Sequence, residues 1–152
     1  MPLEMLHLTL VFLGATDPAR VTPISTTLDS VAARHGPIGV RSGAAGGRTD
    51  DRRGGVAWLG LVGGREALAR LSLELDRSIG SGVYASMAPQ PHLTVARRID
   101  QALLDDLRQV AGEVRLEWLV DHIVLFRSHT GPHGSRYEEL DRRPLTPAKT
   151  SA

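Results

Sequence analysis

The chain has 152 residues, 41% of them hydrophobic and 23% charged, with a formal net charge of +1 and no cysteine. That length suits a single domain, the near-neutral charge supplies no global basic face for long nucleic acid, and the missing cysteines exclude disulfides, thiolate catalysis and cysteine-bound metals. No apolar run approaches the roughly 18 residues of a membrane span, and MPLEMLH carries neither a basic leader nor an export signal, so a cytoplasmic protein with no membrane contact is expected.

Leu6 to Leu13 alternates as a strand does, with Leu6, Leu8, Leu10 and Phe12 on one side and His7 and Thr9 on the other. Thr22-Pro23 reads as a helix start, and Ile24, Leu28 and Val31 recur at helical spacing until Gly36-Pro37. Ile38 to Arg41 suggests a short strand, and the following SGAAGGRTDDRRGG a mobile polar loop. Val56 to Val62 reads as a buried strand, and Glu66 to Ile79 as a helix ended by Gly80. Leu93 and Val95 then alternate against His92 and Thr94, repeating the first strand's pattern. A helix over Gln101 to Ala111 and strands over Leu119 to Phe126 and Arg136 to Leu140 complete the chain, with PLTPAKTSA as a disordered tail.

The repeated element is His-Leu-Thr followed by two aliphatics, at His7 and again at His92. On an extended strand, residues i and i+2 share a face roughly 6.5 to 7 Å apart, so each motif presents one imidazole and one hydroxyl backed by aliphatics. If the two halves of the chain pack face to face, the pairs converge on one small ligand from opposite sides. Two imidazoles flanking a phosphorus divide a displacement between them: a neutral one takes a proton from water and a protonated one gives a proton to the departing oxygen. Histidine in water titrates near pH 6.5, which permits both roles. Thr9 and Thr94 hydroxyls suit nonbridging phosphate oxygens, and Arg97 adds a cation at the strand end. Taken singly, either histidine reads as a structural strand residue; the duplication favours a shared site. Neither motif offers His-x-His or a nearby following carboxylate, so no metal site is expected.

At these residues the chain resembles the two-histidine (2H) phosphoesterase superfamily, and within it the RNA 2',3'-cyclic phosphodiesterases also called 2'-5' RNA ligases. HLTLVFLG is similar to the first motif, VAWLGL to the central strand, PHLTVAR to the second motif, and VDHIVLFRS with GSRYEEL to the C-terminal hairpin. The resemblance implies an α+β bilobal fold, two antiparallel sheets flanked by helices with pseudo-twofold symmetry, formed by residues 1–145 as one domain. It implies hydrolysis of RNA 2',3'-cyclic phosphate ends to 2'-phosphate without metal or cofactor, with 2'-5' joining as the reverse chemistry. By position, His7 is then the acid for the leaving 3'-oxygen, His92 the base that activates water, and Thr9, Thr94 and Arg97 the phosphate grip. Arg127 joins the substrate-binding set because it ends a strand in a shared segment. Family members carry a further strand and helix ahead of the first motif. Without them the first lobe is expected to have an unpaired edge and exposed apolar surface, which leaves three readings open: a start upstream of Met1, compensation as a homodimer, or a weakened relic.

Trp58 and Phe126 have the chemistry to stack a nucleobase, although their apolar neighbours make core packing the expectation. His122 reads as a solvated strand residue, His129 and His133 as turn residues, and Arg48, Arg52 and Arg53, interspersed with Asp50 and Asp51, as a solvated loop. Two other functions stay open: a noncatalytic module binding nucleotides or RNA ends, and a phosphodiesterase of small cyclic nucleotides.

Overall fold

The computed structural model describes residues 6–50, 54–131 and 134–146. Its elements run α1 (Val21–Ala32), β1 (Ile38–Arg48), β2 (Gly55–Gly63), α2 (Arg65–Ile79), β3 (Leu93–Ile99), α3 (Gln101–Glu113), β4 (Glu117–Val120), β5 (His122–Gly131) and β6 (Gly134–Pro144), with a 3-10 turn at Pro18–Arg20 ahead of α1. An antiparallel sheet of order β3-β2-β1-β4 is accompanied by the antiparallel pair β5-β6. This is the expected α+β architecture with antiparallel sheets and flanking helices. Among the described residues no helix is long and apolar enough to cross a membrane.

The larger core joins α1 and α2 to the sheet. Ile24, Leu28 and Val31 of α1 meet Leu68, Leu71 and Leu75 of α2 over Ile38, Val40 and Leu61, and Ile123 and Leu145 close the cluster. Each such leucine contributes about 1.5–3 kcal/mol by leaving water. A smaller cluster places Leu104 of α3 against Ala57 and Ile99 on the sheet.

Helix boundaries follow capping chemistry. The expected start at Thr22-Pro23 is displaced upstream, because Asp17 accepts the Ala19 amide at 2.9 Å and Pro18 opens a 3-10 turn that runs into α1. Gly80 ends α2 in the left-handed conformation, φ 71°, and Asp100 caps α3 through the Leu103 amide. Asp76, near the end of α2, has its carboxylate turned into the following loop. It accepts the Ser81 hydroxyl, the Val83 amide at 2.8 Å and the Tyr84 amide at 3.2 Å. The Ser81 hydroxyl foremost, and then the Tyr84 and Val83 amides, hold the Asp76 carboxyl below its ordinary value against the opposing effect of burial.

Four expectations are corrected. The glycine-rich segment after Arg41 is strand rather than loop as far as Arg48, paired with β2 from Ser42↔Leu61 to Arg48↔Val56. Glycine is used there for close approach. A Cβ at Gly46 would lie 2.6 Å from the Trp58 indole nitrogen, and one at Gly47 would strike Leu104 and sit 2.7 Å from the Val56 carbonyl oxygen. Residues 51–53 of that segment lie outside the described residues, as does His133. Second, among the described residues Leu6 to Leu13 forms no ladder and bridges at Leu8, to Leu93. With one bonded residue to hold the pleat, alternation lapses after Leu10, so Val11 and Leu13 turn inward and Phe12 is 72% exposed. Third, the single strand expected from Leu119 to Phe126 is broken at Asp121 into β4 and β5, which belong to different sheets. Fourth, the tail docks before it ends. Pro144 belongs to β6, Leu145 is 3% exposed, and its amide donates to the Asp121 carbonyl at 2.8 Å.

Gly47→Ala should therefore cost about 1–3 kcal/mol through overpacking, whereas Gly39→Ala in the same strand, whose Cβ would meet nothing within 4 Å, should be neutral or stabilising by about 0.4–1 kcal/mol. Urea midpoints of the two variants test this directly. The Asp76 carboxylate, depressed in the folded state, contributes stability above the ordinary aspartate range that is lost as pH falls through its folded value. Unfolding followed from about pH 7 to about pH 3 should show a shallower acid limb in Asp76→Asn than in wild type.

Candidate active site

The Leu8–Leu93 bridge sets the geometry. In an antiparallel pairing with Leu8 opposite Leu93, position 7 falls opposite 94 and position 9 opposite 92. His7, Thr9, His92 and Thr94 therefore occupy the face opposite to the two leucines, in the order His-Thr over Thr-His. Leu93 is buried and Leu8 packs on the larger core, which leaves the other face for the polar four. The motifs meet side by side across one bridge, not face to face as the sequence pattern suggested. A local twofold relation through the bridge exchanges His7 with His92 and Thr9 with Thr94.

Arg97 reaches this face through a bulge. Thr94 is opposite Trp58 but Ala96 is opposite Ala57, so Val95 is an extra residue in β3. Ala57 is fully buried on the α3 side, and the next pair, Val56↔Arg97, falls on the side of Trp58 and Thr94. Strict alternation from Thr94 would have placed Arg97 on the opposite face. The bulge restores it, and the side chain is exposed.

Aromatic rings flank both imidazoles. The His7 ring lies edge-on to Tyr137, with centroids 4.8 Å apart, and 6.1 Å from Phe126. On the other side the His92 ring lies 5.8 Å from Trp58, whose indole passes over Gly46. Neither Trp58 nor Phe126 belongs to a core cluster, and Phe126 is 39% exposed, which corrects the core-packing expectation for both. Sequence reasoning misses Tyr137. Its signal emerges only once β5 and β6 are paired, when Tyr137 comes opposite Ser128 and so onto the side of Phe126.

His92 Nδ1 lies 2.9 Å from the Gln90 carbonyl oxygen. A carbonyl only accepts, so Nδ1 carries the hydrogen and the neutral ring keeps its lone pair on Nε2. This contact involves main chain, so the identity of Gln90 announces nothing. Arg127 alternates to the side of β5 away from Phe126, pairs with Glu138 at 3.7 Å, and lines the cavity that also takes in His7 and Thr9. His129 also engages Glu138, and His122 contacts Asp121 and Arg142 at the surface. The Glu138 carboxyl is held below its ordinary value by the His129 hydrogen bond first and by the Arg127 charge after burial's opposing effect.

A cavity of about 720 Å³ adjoins the first motif, lined by His7 and Thr9 with apolar walls from Leu13, Ile24, Leu75 and Phe126. His92, Thr94 and Arg97 lie outside its lining, so it opens beside the polar face without containing it.

An α+β fold with two His-x-Thr motifs sharing one face is the arrangement expected of the two-histidine phosphoesterase class. The family model described as the 2'-5' RNA ligase superfamily matches residues 1–132, and the chain belongs to that superfamily. No curated protein matches it. Among solved structures it is similar to TT0787 of Thermus thermophilus, at 22% identity and TM-score 0.72 over 97% of this chain and 81% of that one. It is also similar to E. coli LigT complexed with phosphate, at 22% identity and TM-score 0.62 over 93% of this chain and 76% of that one. LigT complexed with 3'-AMP matches at 22% identity and TM-score 0.59 over 94% and 77%. At such identities these likenesses establish the fold.

The Gln90 contact predicts that neutral His92 is the Nδ1-protonated tautomer. Long-range 1H–15N correlation of the His92 ring at alkaline pH should show a protonated Nδ1, and a protonated Nε2 would refute the assignment.

Proposed function

We propose that the chain hydrolyses 2',3'-cyclic phosphate ends of RNA to 2'-phosphates, with 2'-5' joining as the reverse reaction at the same residues. The observation that carries this reading is the placement of both histidines and both threonines on one face about the Leu8–Leu93 bridge. In the proposed step His92 Nε2, left basic by the Gln90 contact, takes a proton from water as the water oxygen bonds to phosphorus. The bond from phosphorus to the 3'-oxygen breaks, and His7 gives that oxygen its proton. Thr9 and Thr94 hydroxyls and the Arg97 guanidinium bind the nonbridging oxygens, where charge accumulates in the transition state.

RNA is favoured as the substrate class by the rings beside the two imidazoles. Trp58 near His92, and Tyr137 with Phe126 near His7, offer apolar walls to a base on either side of the phosphate, and such contacts are worth about 1–3 kcal/mol per base. LigT has been solved with phosphate and with 3'-AMP, ligands of the kind such a face would accept.

The test is incubation with a short RNA ending in a 2',3'-cyclic phosphate and identification of the product. Wild type should release a 2'-phosphate end, and His7→Ala and His92→Ala should each lose about 10²–10⁴-fold in kcat. The rate should be bell-shaped in pH, with one limb for each histidine, and unchanged by EDTA. A profile flat from about pH 5 to about pH 9 with chemistry rate-limiting would remove the paired acid and base roles. Binding without turnover would identify a noncatalytic module, and turnover confined to cyclic mononucleotides would move the substrate class away from RNA.

A further inference from the structure

The segment that carries His7 and Thr9 has little backbone support of its own. Among the described residues it makes one β-bridge, at Leu8, and its carbonyl at Leu10 accepts one long-range side-chain hydrogen bond, from the Tyr84 hydroxyl at 2.6 Å. These contacts bracket Thr9 and lie within three residues of His7. Tyr84 belongs to no helix or strand; it sits in the loop after α2. That loop is shaped by Asp76, whose main-chain carbonyl accepts the Gly80 amide at 2.9 Å and the Ser81 amide at 3.1 Å, and whose carboxylate accepts Ser81, Val83 and Tyr84. Asp76 is 6% exposed, a costly place for a carboxylate that is not compensated by several donors.

We infer that Asp76 and Tyr84 act in series as positioning residues for the first motif. Asp76 folds the 80–84 turn so that the phenol hydroxyl meets the Leu10 carbonyl, and that bond sets the pitch at which Thr9 and His7 face Thr94 and His92. The alternative is a helix cap and a tyrosine that merely add stability. The two differ in consequence, because a displacement of about 1 Å at a reacting group can cost on the order of 10²-fold in rate while barely altering substrate affinity. The catalytic part of this inference rests on the proposed phosphodiesterase reading; the structural part does not.

The experiment uses the full chain with Tyr84→Phe, Asp76→Asn and the double variant. Tyr84→Phe keeps the ring and removes only the hydroxyl that reaches Leu10. Expected are a fall in kcat of about ten- to a hundredfold with KM changed less than about twofold, and a double variant no slower than the slower single one, as groups acting through one hydrogen bond require. Independently of activity, the His7 ring resonances should shift in Tyr84→Phe, and amide exchange at Leu8 to Val11 should quicken beyond any change in global unfolding. A folded Tyr84→Phe with wild-type kcat overturns the inference, as does additive loss in the double variant. If wild type fails to turn over the cyclic-phosphate RNA, the phosphodiesterase reading falls and the resonances decide: shifted His7 signals support the positioning role, and unshifted ones with unchanged exchange overturn it. If Asp76→Asn does not fold, Tyr84→Phe decides alone by the same readouts.

Discussion

A single β-bridge, Leu8 to Leu93, organises the candidate site. The hydrogen bonds of one bridge contribute only about 1 kcal/mol each in net terms, too little to hold a bare segment in register. Burial does the holding. Leu8, Leu10, Val11 and Leu13 pack on the core shared by α1 and α2, and Leu93 is buried beside them. Because alternate residues of an extended chain point to opposite faces, anchoring the leucines obliges the intervening histidines and threonines to face the other way. Hydrophobic packing thus directs the polar groups without touching them.

Irregularity in the larger sheet adjusts what packing alone would leave misplaced. The extra residue at Val95 returns Arg97 to the side of Thr94, and a second one at Arg98, between the Val56↔Arg97 and Gly55↔Ile99 pairs, returns Ile99 to the buried face. Gly46 gives the Trp58 indole room to lie across β1 beside His92, and Gly47 admits Leu104 from α3 on the other side. A regular strand with ordinary side chains at these positions would shift the indole or the helix. Glycine's poor strand propensity is here outweighed by the close approach it permits.

The two ends of the polar face are not equivalent, despite the repeat. His92 has its Nδ1 on a main-chain carbonyl and an indole for a neighbour, whereas His7 sits against Tyr137 and Phe126 and lines the cavity. Such asymmetry is what a displacement needs, since its acid and base perform opposite proton transfers. The first motif has its bridge and the Tyr84 hydroxyl for support, while the second lies at the head of β3, laddered to β2.

Helical spacing in Ile24–Val31 and Leu68–Ile79, the glycine stop at Gly80 and the doubled His-x-Thr are all legible as local patterns, because each depends on residues within a few positions of one another. So is the α+β character. The glycine-rich stretch escapes such a reading because propensity is local and Trp58 and Leu104, which explain it, lie on other elements. The order of residues along the chain is enough to single out the candidate groups: two imidazoles and two hydroxyls at repeated spacing, with Arg97 after the second pair. That they meet side by side across Leu8 and Leu93, that a bulge turns Arg97 to their side, and that Arg127 pairs with Glu138 are properties of the folded molecule alone. Register and bulges arise from pairing between distant segments, and no single stretch of sequence contains both partners.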